Sequence, residues 1–126
     1  MTKVKATLWL TGGDFIPFDF ANLIDWDSDL SESCASGEVD ASTGEVMDYG
    51  YVLIRSSDAY AEWVIFEVFL DRIYNKRDLF KEWKIDDVEI HLDVVDDGQC
   101  NFQLEAAVLG KIAEIDACLT VTCWRK

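Results

Sequence analysis

Two segments in which every second residue is apolar most constrain how this chain can fold. Residues 4–10 alternate Val, Ala, Leu and Leu with Lys, Thr and Trp, and residues 88–94 alternate Val, Ile, Leu and Val with Glu, His and Asp. This period of two predicts β-strands that bury one face and expose the other, because successive side chains of a strand point to opposite faces. The chain is therefore expected to build a sheet with one covered face.

A helical period occupies the middle of the chain. The tripeptide Ser56-Ser57-Asp58 offers side chains that cap helices. Apolar residues then recur at the three-and-four spacing of one helical face: Ala59, Trp63, Phe66, Leu70 and Ile73. The alternative is a strand over residues 63–69, which are rich in β-forming residues. The length of the pattern and the preceding cap favour the helix.

Weaker signals complete the list of predicted elements. They indicate a short helix from Pro17 to about Asp25, a polar loop over 25–36, strands near 38–41 and 45–55 joined at Ser42-Thr43-Gly44, a short turn over 78–83, a helix capped by Asn101 that carries Leu104, and a last strand over 115–121. We predict an α+β fold, with an antiparallel or mixed sheet of about five strands, helices packed on one face and a ferredoxin-like arrangement. Residues 1–126 are expected to form a single domain.

The same alternation predicts which residues occupy the uncovered face of the sheet. They are Thr7, Trp9, Glu89, His91, Thr120 and Thr122, with Trp124 as a further candidate. Two tryptophans on a solvent-facing sheet favour a protein partner or a second copy of the chain.

Charge is distributed very unevenly along the sequence. Residues 14–48 contain no lysine or arginine but ten carboxylates: Asp14, Asp19, Asp25, Asp27, Asp29, Glu32, Glu38, Asp40, Glu45 and Asp48. Like charges oppose compaction, so a region of one sign is more naturally a surface shaped for a partner. The alternative is a solvated acidic loop that keeps the protein soluble. The net charge of −14 argues against direct binding to nucleic acid phosphates.

Aromatic residues are interleaved with these carboxylates. Trp26 stands between two aspartates, and Tyr49 follows Asp48. In protein interfaces, aromatic rings supply affinity while charges steer the encounter. We therefore predict a surface that binds a basic protein partner, formed by Asp25, Trp26, Asp27, Asp29, Glu32, Glu38, Asp40, Glu45, Asp48 and Tyr49.

The acidic stretch does not match a known calcium loop. Asp25, Asp27 and Asp29 have the one-three-five spacing of an EF-hand. Position six is Leu30 where the turn needs glycine, and position twelve is Ser36 where a bidentate glutamate is needed. We therefore predict a solvated acidic loop and no bound metal, with a weak cation site as the alternative.

Neither zinc binding nor catalysis is predicted. The chain has one histidine, His91, and Cys118 and Cys123 would point to opposite faces of a predicted strand. No motif ties a nucleophile to His91. We therefore predict no cofactor and no enzymatic activity.

The start of the chain bears on its compartment. It reads Met-Thr-Lys-Val-Lys and runs directly into a strand pattern, without the apolar core of a signal peptide. The four cysteines, Cys34, Cys100, Cys118 and Cys123, are therefore expected to be free thiols in a reducing cytoplasm. The longest apolar run, residues 63–66, is too short to cross a bilayer. We predict a cytoplasmic protein with no membrane partner.

The opening residues also carry a resemblance. The run Leu8-Trp9-Leu10-Thr11-Gly12-Gly13-Asp14-Phe15-Ile16-Pro17 resembles the start of the bacterial domain of unknown function 4279 family, in which a strand enters a Gly-Asp-Phe-x-Pro turn and a short helix. The later layout is similar over most of the chain. The sequence departs from the family at Trp26-Asp27-Ser28-Asp29, where a proline and a Gly-rich basic stretch are expected. The resemblance implies a small α+β domain like the immunity partners of secreted bacterial toxins, and it supplies no catalytic residue.

These observations favour a non-enzymatic inhibitor or immunity-type protein. It would bind a basic partner, such as a nuclease toxin, by offering carboxylates in place of phosphates. One alternative is a homo-oligomeric accessory domain that pairs through the uncovered sheet face carrying Trp9 and His91. The other is a small-ligand-binding domain or enzyme with a pocket between sheet and helices.

Overall fold

Five strands form one mixed sheet in the computed structural model, which describes residues 2–17, 20, 31–96, 98 and 102–125. The strands are β1 (Lys3–Gly12), β2 (Ser31–Cys34), β3 (Gly50–Arg55), β4 (Asp87–Asp96) and β5 (Cys118–Arg125), in the spatial order β2-β3-β1-β4-β5. Neighbours are antiparallel except β4 and β5, which are parallel. The two alternating segments are thus confirmed as strands, and they pair with each other.

Helices α1 (Trp63–Asn75), α2 (Arg77–Glu82) and α3 (Ala106–Glu114) contribute to a single hydrophobic core with the sheet. The even-numbered residues of β1, Val4 to Leu10, are buried in this core together with Phe66 and Ile73 of α1 and Ile112 of α3. Each large apolar side chain buried this way contributes about 1.5–3 kcal/mol. None of the helices in the described part of the chain has the length and apolar content needed to cross a membrane.

The α+β class is therefore confirmed, with helices on one face of a five-stranded mixed sheet. Strands β2, β3, β1 and β4 are all antiparallel and stand in the order of a ferredoxin-like sheet. That arrangement also needs a helix between β1 and β2. The helix predicted from Pro17 to about Asp25 falls largely on residues outside the described ones, so the ferredoxin-like arrangement stays a prediction.

The predicted loop over residues 25–36 is wrong at its end. Ser31–Cys34 forms β2, which pairs with β3 from Ser31 opposite Ile54 to Cys34 opposite Tyr51. Three of the four residues of β2 are polar, so the strand lacks the alternation of apolar residues that would predict it. Its hydrogen bonds come from the main chain, which any of these residues supplies.

The start of α1 also differs from the prediction. The helix begins at Trp63, because the preceding residues pair with β1 instead of capping a helix. Ser56 receives the Ala6 N–H on its hydroxyl at 2.9 Å and donates its own N–H to the Ala6 carbonyl at 2.8 Å. Ala61 exchanges two main-chain hydrogen bonds with Val4, at 2.7 and 2.8 Å. The residues that the sequence offers as a helix cap therefore form hydrogen bonds with the sheet instead.

The other two helices also differ in detail. Arg77–Glu82 is a short helix rather than a turn over 78–83. Leu104 precedes α3 instead of lying within it, because the helix begins at Ala106. Its predicted cap, Asn101, lies outside the described residues.

The last strand is displaced toward the C-terminus. It covers Cys118–Arg125 rather than residues 115–121. Ile115 is the C-cap of α3, and Asp116 has a φ of 60°, in the left-handed region that reverses the chain after a helix. The strand can begin only after this reversal.

Candidate protein-binding face

The sheet face opposite the helices, here called the open face, carries the residues predicted to share it. Register places Thr7 beside His91 and Thr120, since directly paired residues of neighbouring strands point to the same face. Trp9 lies beside Glu89 in the same way. Thr122 and Trp124 follow at alternate positions of β5. The prediction for this face is confirmed.

A stacked aromatic pair lies on the open face, near the C-terminal end of the central strand β1. The rings of Trp9 and Tyr51 have centroids 4.9 Å apart and planes only 5° apart. The two residues are diagonal neighbours, because Trp9 is opposite Leu53 and Tyr51 is opposite Thr11. Such pairs contribute about 0.5–1.5 kcal/mol beyond the burial of their area. Tyr51 is buried and Trp9 is half-buried, so part of the indole remains accessible.

Carboxylates flank this pair along one row of the sheet. The row crosses four strands, with Glu32 on β2, Leu53 on β3, Trp9 on β1 and Glu89 on β4. Asp87 lies two residues before Glu89 and therefore on the same face. All three carboxylates belong to exposed residues.

A cleft of about 520 Å³ opens beside Trp9. The lining brings together three carboxylates and two aromatic rings and includes no basic side chain among the described residues. It consists of Trp9, Thr11, Gly12, Gly13, Tyr49, Asp86, Asp87 and Glu89. We use the term acid–aromatic surface for this cleft together with Glu32 and Tyr51. Aromatic faces next to carboxylates attract cationic side chains by both charge and ring quadrupole.

The Gly-Gly turn closes one end of the cleft. Gly13 donates its N–H to Asp86 Oδ2 at 3.1 Å, and the Asp86 N–H donates to the Thr11 carbonyl at 2.8 Å. A Cβ on Gly12 would lie 2.3 Å from the carbonyl oxygen of Lys84. Glycine is therefore required where β1 approaches the segment that leads into β4.

Residues 37–47 form a small hairpin beside β2 and β3. Gly37 donates to the Met47 carbonyl at 2.7 Å, and Met47 donates to the Glu38 carbonyl at 2.9 Å. Only Val39 and Val46 form a β-bridge, so the long strands predicted over 38–41 and 45–55 shrink to this bridge and β3.

Asp40 ties the hairpin to the open face. It is only 7% exposed, and its Oδ1 accepts hydrogen bonds from the Ser42 N–H at 2.9 Å and the Ser42 hydroxyl at 2.8 Å. These bonds, the backbone one foremost, together with a hydrogen bond from the Tyr51 hydroxyl, lower the pKa of Asp40 below its usual value. Burial, followed by the Asp40 charge, raises the pKa of Tyr51 to about 12. The Asp40 carboxylate therefore mainly makes hydrogen bonds within the protein.

A second cavity of about 460 Å³ lies under the hairpin and is lined by Cys34, Glu38, Asp40 and Tyr51, among others. Burial first, then the charges of Asp40 and Glu38, raises the pKa of the Cys34 thiol. A protonated thiol is a poor nucleophile and a poor metal ligand.

The structure places the predicted partner-binding residues in three groups. Glu32 and Tyr49 belong to the acid–aromatic surface, and Glu32 also lies 3.6 Å from the Arg55 guanidinium. Glu38, Glu45 and Asp48 are exposed on or next to the hairpin, while Asp40 is buried within it. Asp25, Trp26, Asp27 and Asp29 lie outside the described residues.

Sequence reasoning missed the contribution of β4. Asp86, Asp87 and Glu89 lie far along the chain from residues 14–48, yet they line the same cleft as Tyr49. A signal existed, because Glu89 and Trp9 were assigned to one face by alternation. Combining charge with that alternation, rather than with a continuous window of sequence, would have placed Asp87 and Glu89 on the same face as Trp9.

Basic residues are concentrated elsewhere on the molecule. Lys3 and Lys5 stand at the opposite end of β1, where Lys5 lies over the Tyr60 ring at 5.3 Å. The basic stretch from Arg72 to Lys84 belongs to α1, α2 and the turns next to them. The acid–aromatic surface is thus one end of an open face that carries Lys3 and Lys5 at its other end and Arg55, beside Glu32, between them.

The described residues offer little for metal chemistry. No group of three or more histidine, cysteine, aspartate or glutamate side chains among them is arranged to hold a metal ion. His91 is exposed, and its Nε2 lies 3.7 Å from Glu89 Oε2. The arrangement fits charge recognition better than ligation.

The fold and this face together define a class, an α+β domain with one helix-covered sheet face and one acidic, aromatic sheet face. A scan against protein-family models gives no match, and searches of curated proteins and of solved structures give none either. The resemblance to the domain of unknown function 4279 family stays a prediction that rests on the opening residues.

Proposed function

We propose that this chain is a non-enzymatic binding protein that holds a basic protein partner on the acid–aromatic surface. The observation that carries the proposal is the row of Glu32, Trp9 and Glu89 across the open face. Tryptophan is enriched among the residues that dominate binding energy, and surrounding charges raise association rates. The Trp9 ring is already fixed by stacking on Tyr51, so little side-chain entropy is lost on binding.

The more specific proposal is an immunity-type protein that neutralises a basic, nuclease-type bacterial toxin in the cytoplasm. Nucleases bind phosphates through lysine and arginine. Exposed Asp87 and Glu89, and the hairpin carboxylates beside the sheet, would occupy such a basic surface in place of nucleic acid. The net charge of −14 and the family resemblance support the same reading.

The two alternatives have less support. Self-association through the open face would bury Glu32, Asp87 and Glu89 of both copies, and taking charged groups out of water is costly. An enzyme would need a nucleophile and a base in the cleft. The described lining holds carboxylates and Thr11 but no cysteine, serine or histidine, so carboxylate chemistry is the enzymatic alternative that it leaves.

A titration with an arginine-rich peptide, followed by backbone amide NMR at low salt, tests the proposed function. We expect shifts concentrated at Trp9, Tyr49, Asp87 and Glu89, and a loss of affinity as salt rises. A glutamate-rich peptide of equal length should produce no such shifts. Shifts confined to the helices, or no response at any salt concentration, would refute the proposed site.

The toxin-specific proposal needs a second measurement. The protein encoded next to this gene should be purified and assayed for nuclease activity with and without the chain. Stoichiometric inhibition that weakens when Asp87 and Glu89 are neutralised supports an immunity role. An unaffected nuclease, or the absence of a basic neighbour, contradicts it while leaving the binding surface to the peptide titration.

A further inference from the structure

Among the described residues, β5 is an edge strand of the sheet whose one charged residue, Arg125, lies at its end. β5 pairs with β4 on one side only and ends the strand order of the described sheet. Proteins guard such edges with charged residues, prolines or bulges, because free main-chain groups bind other strands. Residues 118–124 read Cys-Leu-Thr-Val-Thr-Cys-Trp, with no charge and no proline, in a chain that is 29% charged.

This edge is chemically suited to pair with itself. In an antiparallel pairing centred on Val121, Thr120 faces Thr122 of a second copy, and Leu119 faces Cys123. On the open-face side threonine then meets threonine and Cys118 meets Trp124, and on the helix side apolar residues meet apolar ones. Cross-strand threonine pairs and β-branched pairs each stabilise a sheet. No pair in this register brings like charges together.

Exposed apolar residues also occur on α3 and on the helix-facing side of β5. Lys111 contacts Asp71, and Glu114 contacts the Tyr74 hydroxyl, so these α3 residues face α1. Leu109 is two residues before Lys111 and therefore points to the other side of α3, about 200° around the helix. Leu109 is 46% exposed, and Val121, which is paired with buried Leu92 and so faces the helix layer, is 37% exposed. The helix-facing side of β5 thus has an exposed apolar residue at Val121, where the two copies would meet.

We propose that a second copy of this chain pairs along β5, antiparallel and around a two-fold axis at Val121. The two five-stranded sheets join into one sheet of ten strands. The contact is isologous, as is usual for homodimers. The two-fold axis is perpendicular to the sheet, so both open faces lie on the same side of the ten-stranded sheet. The dimer then presents two acid–aromatic surfaces to one partner or to two.

Charge predicts how this dimer responds to salt. Each copy carries −14, and repulsion between copies opposes association. Added salt screens that repulsion, so the dimer should strengthen with salt, whereas peptide binding to the acid–aromatic surface should weaken. The two proposals are therefore separated by the sign of the salt dependence, and either one can fail alone.

Sedimentation velocity over a wide range of protein concentration tests the pairing. The wild-type mass should rise from 14.3 kDa toward twice that value. Val121→Lys should remain at 14.3 kDa, because the two-fold axis sets the two introduced lysines side by side. Val68→Lys is the matched control, since Val68 is 54% exposed on α1 and should dimerise like the wild type. Circular dichroism establishes that each variant is folded.

A monomeric wild type at every concentration overturns the proposal, as does a Val121→Lys variant that dimerises normally. Register is tested by Val121→Cys in a Cys100→Ser, Cys118→Ser, Cys123→Ser background with a short bis-maleimide. Rapid crosslinking at position 121, and not for Val68→Cys in the same background, supports the two-fold at Val121. Equal crosslinking of the two variants contradicts it.

Discussion

The two faces of this sheet are built from the same strands and have opposite chemistry. On β1, the even-numbered residues Val4 to Leu10 are buried under helices, while Trp9 between them is half-buried on the open face. On β4, Ile90 and Leu92 are fully buried, and Glu89 and His91 beside them are exposed. One face is buried in the core, and the other carries the charged and aromatic side chains.

This division explains how a chain with a net charge of −14 remains compact. Apart from Asp40, the carboxylates of the acid–aromatic surface and the hairpin belong to exposed residues, and water and salt screen their repulsion beyond a Debye length of about 8 Å at physiological salt. The core on the other face supplies the opposing free energy. Substitutions on the two faces should therefore separate stability from binding.

The largest expected effect is on stability, from truncating the covered face. Leu8 is 0% exposed, so Leu8→Ala should lower the free energy of unfolding by about 2–5 kcal/mol through lost burial and a cavity. Thr7→Ala, one residue away on the open face, is the matched control and should change it by less than about 0.5 kcal/mol. Urea unfolding measures both. Equal losses would mean that the open face is also part of the core.

The next effect is on binding, from removing the aromatic centre of the open face. Trp9→Ala should weaken binding of the arginine-rich peptide by about tenfold or more, as expected for a tryptophan hot spot. Trp124→Ala, at the far end of the same face and 54% exposed, should leave the affinity unchanged. Isothermal titration calorimetry compares the two variants. A larger loss for Trp124→Ala would relocate the binding surface to β5.

How far the sequence predicts these two faces depends on the kind of signal. Alternation assigned Thr7, Trp9, Glu89 and His91 to one face correctly, because a period of two fixes the side of each residue without knowing its partner. The acid–aromatic surface needed register as well. β4 and β2 place carboxylates in the row of Trp9 through pairing between residues that are distant in the sequence. A short stretch of sequence does not contain that information.

Polar elements were the hardest to predict for a related reason. β2 has no apolar period, and its existence depends on main-chain pairing with β3. Ser56 has the chemistry of a helix cap but bonds to Ala6 of β1 instead. Local preferences of about 1 kcal/mol yield when several tertiary hydrogen bonds compete for the same residues.

A smaller effect is expected on association rate, from neutralising charge on one face only. Asp87→Asn with Glu89→Gln should slow association with the arginine-rich peptide several-fold at low salt and flatten its salt dependence. Glu67→Gln with Glu82→Gln removes the same charge from exposed helix positions and serves as the control. Stopped-flow measurements compare the two rates. Identical slowing would mean that net charge, rather than its placement on the open face, controls the encounter.

The smallest effect concerns the hairpin that borders the open face, and it depends on pH. Ser42 and Tyr51 lower the pKa of Asp40 in the folded protein, so its ionised form stabilises the hairpin. This stabilisation is complete above the unfolded pKa of about 3.9 and is lost as pH falls through the lower folded value.

Amide hydrogen exchange of Gly44 and Met47 should therefore accelerate below about pH 4, relative to core amides. Asp40→Asn should lose this pH dependence and exchange faster than the wild type at neutral pH, because a neutral amide oxygen accepts weaker hydrogen bonds from Ser42 than the carboxylate does. Asp48→Asn, exposed at the end of the same segment, should keep the wild-type profile. A hairpin equally protected in Asp40→Asn would mean that its main-chain hydrogen bonds suffice without the Asp40 charge.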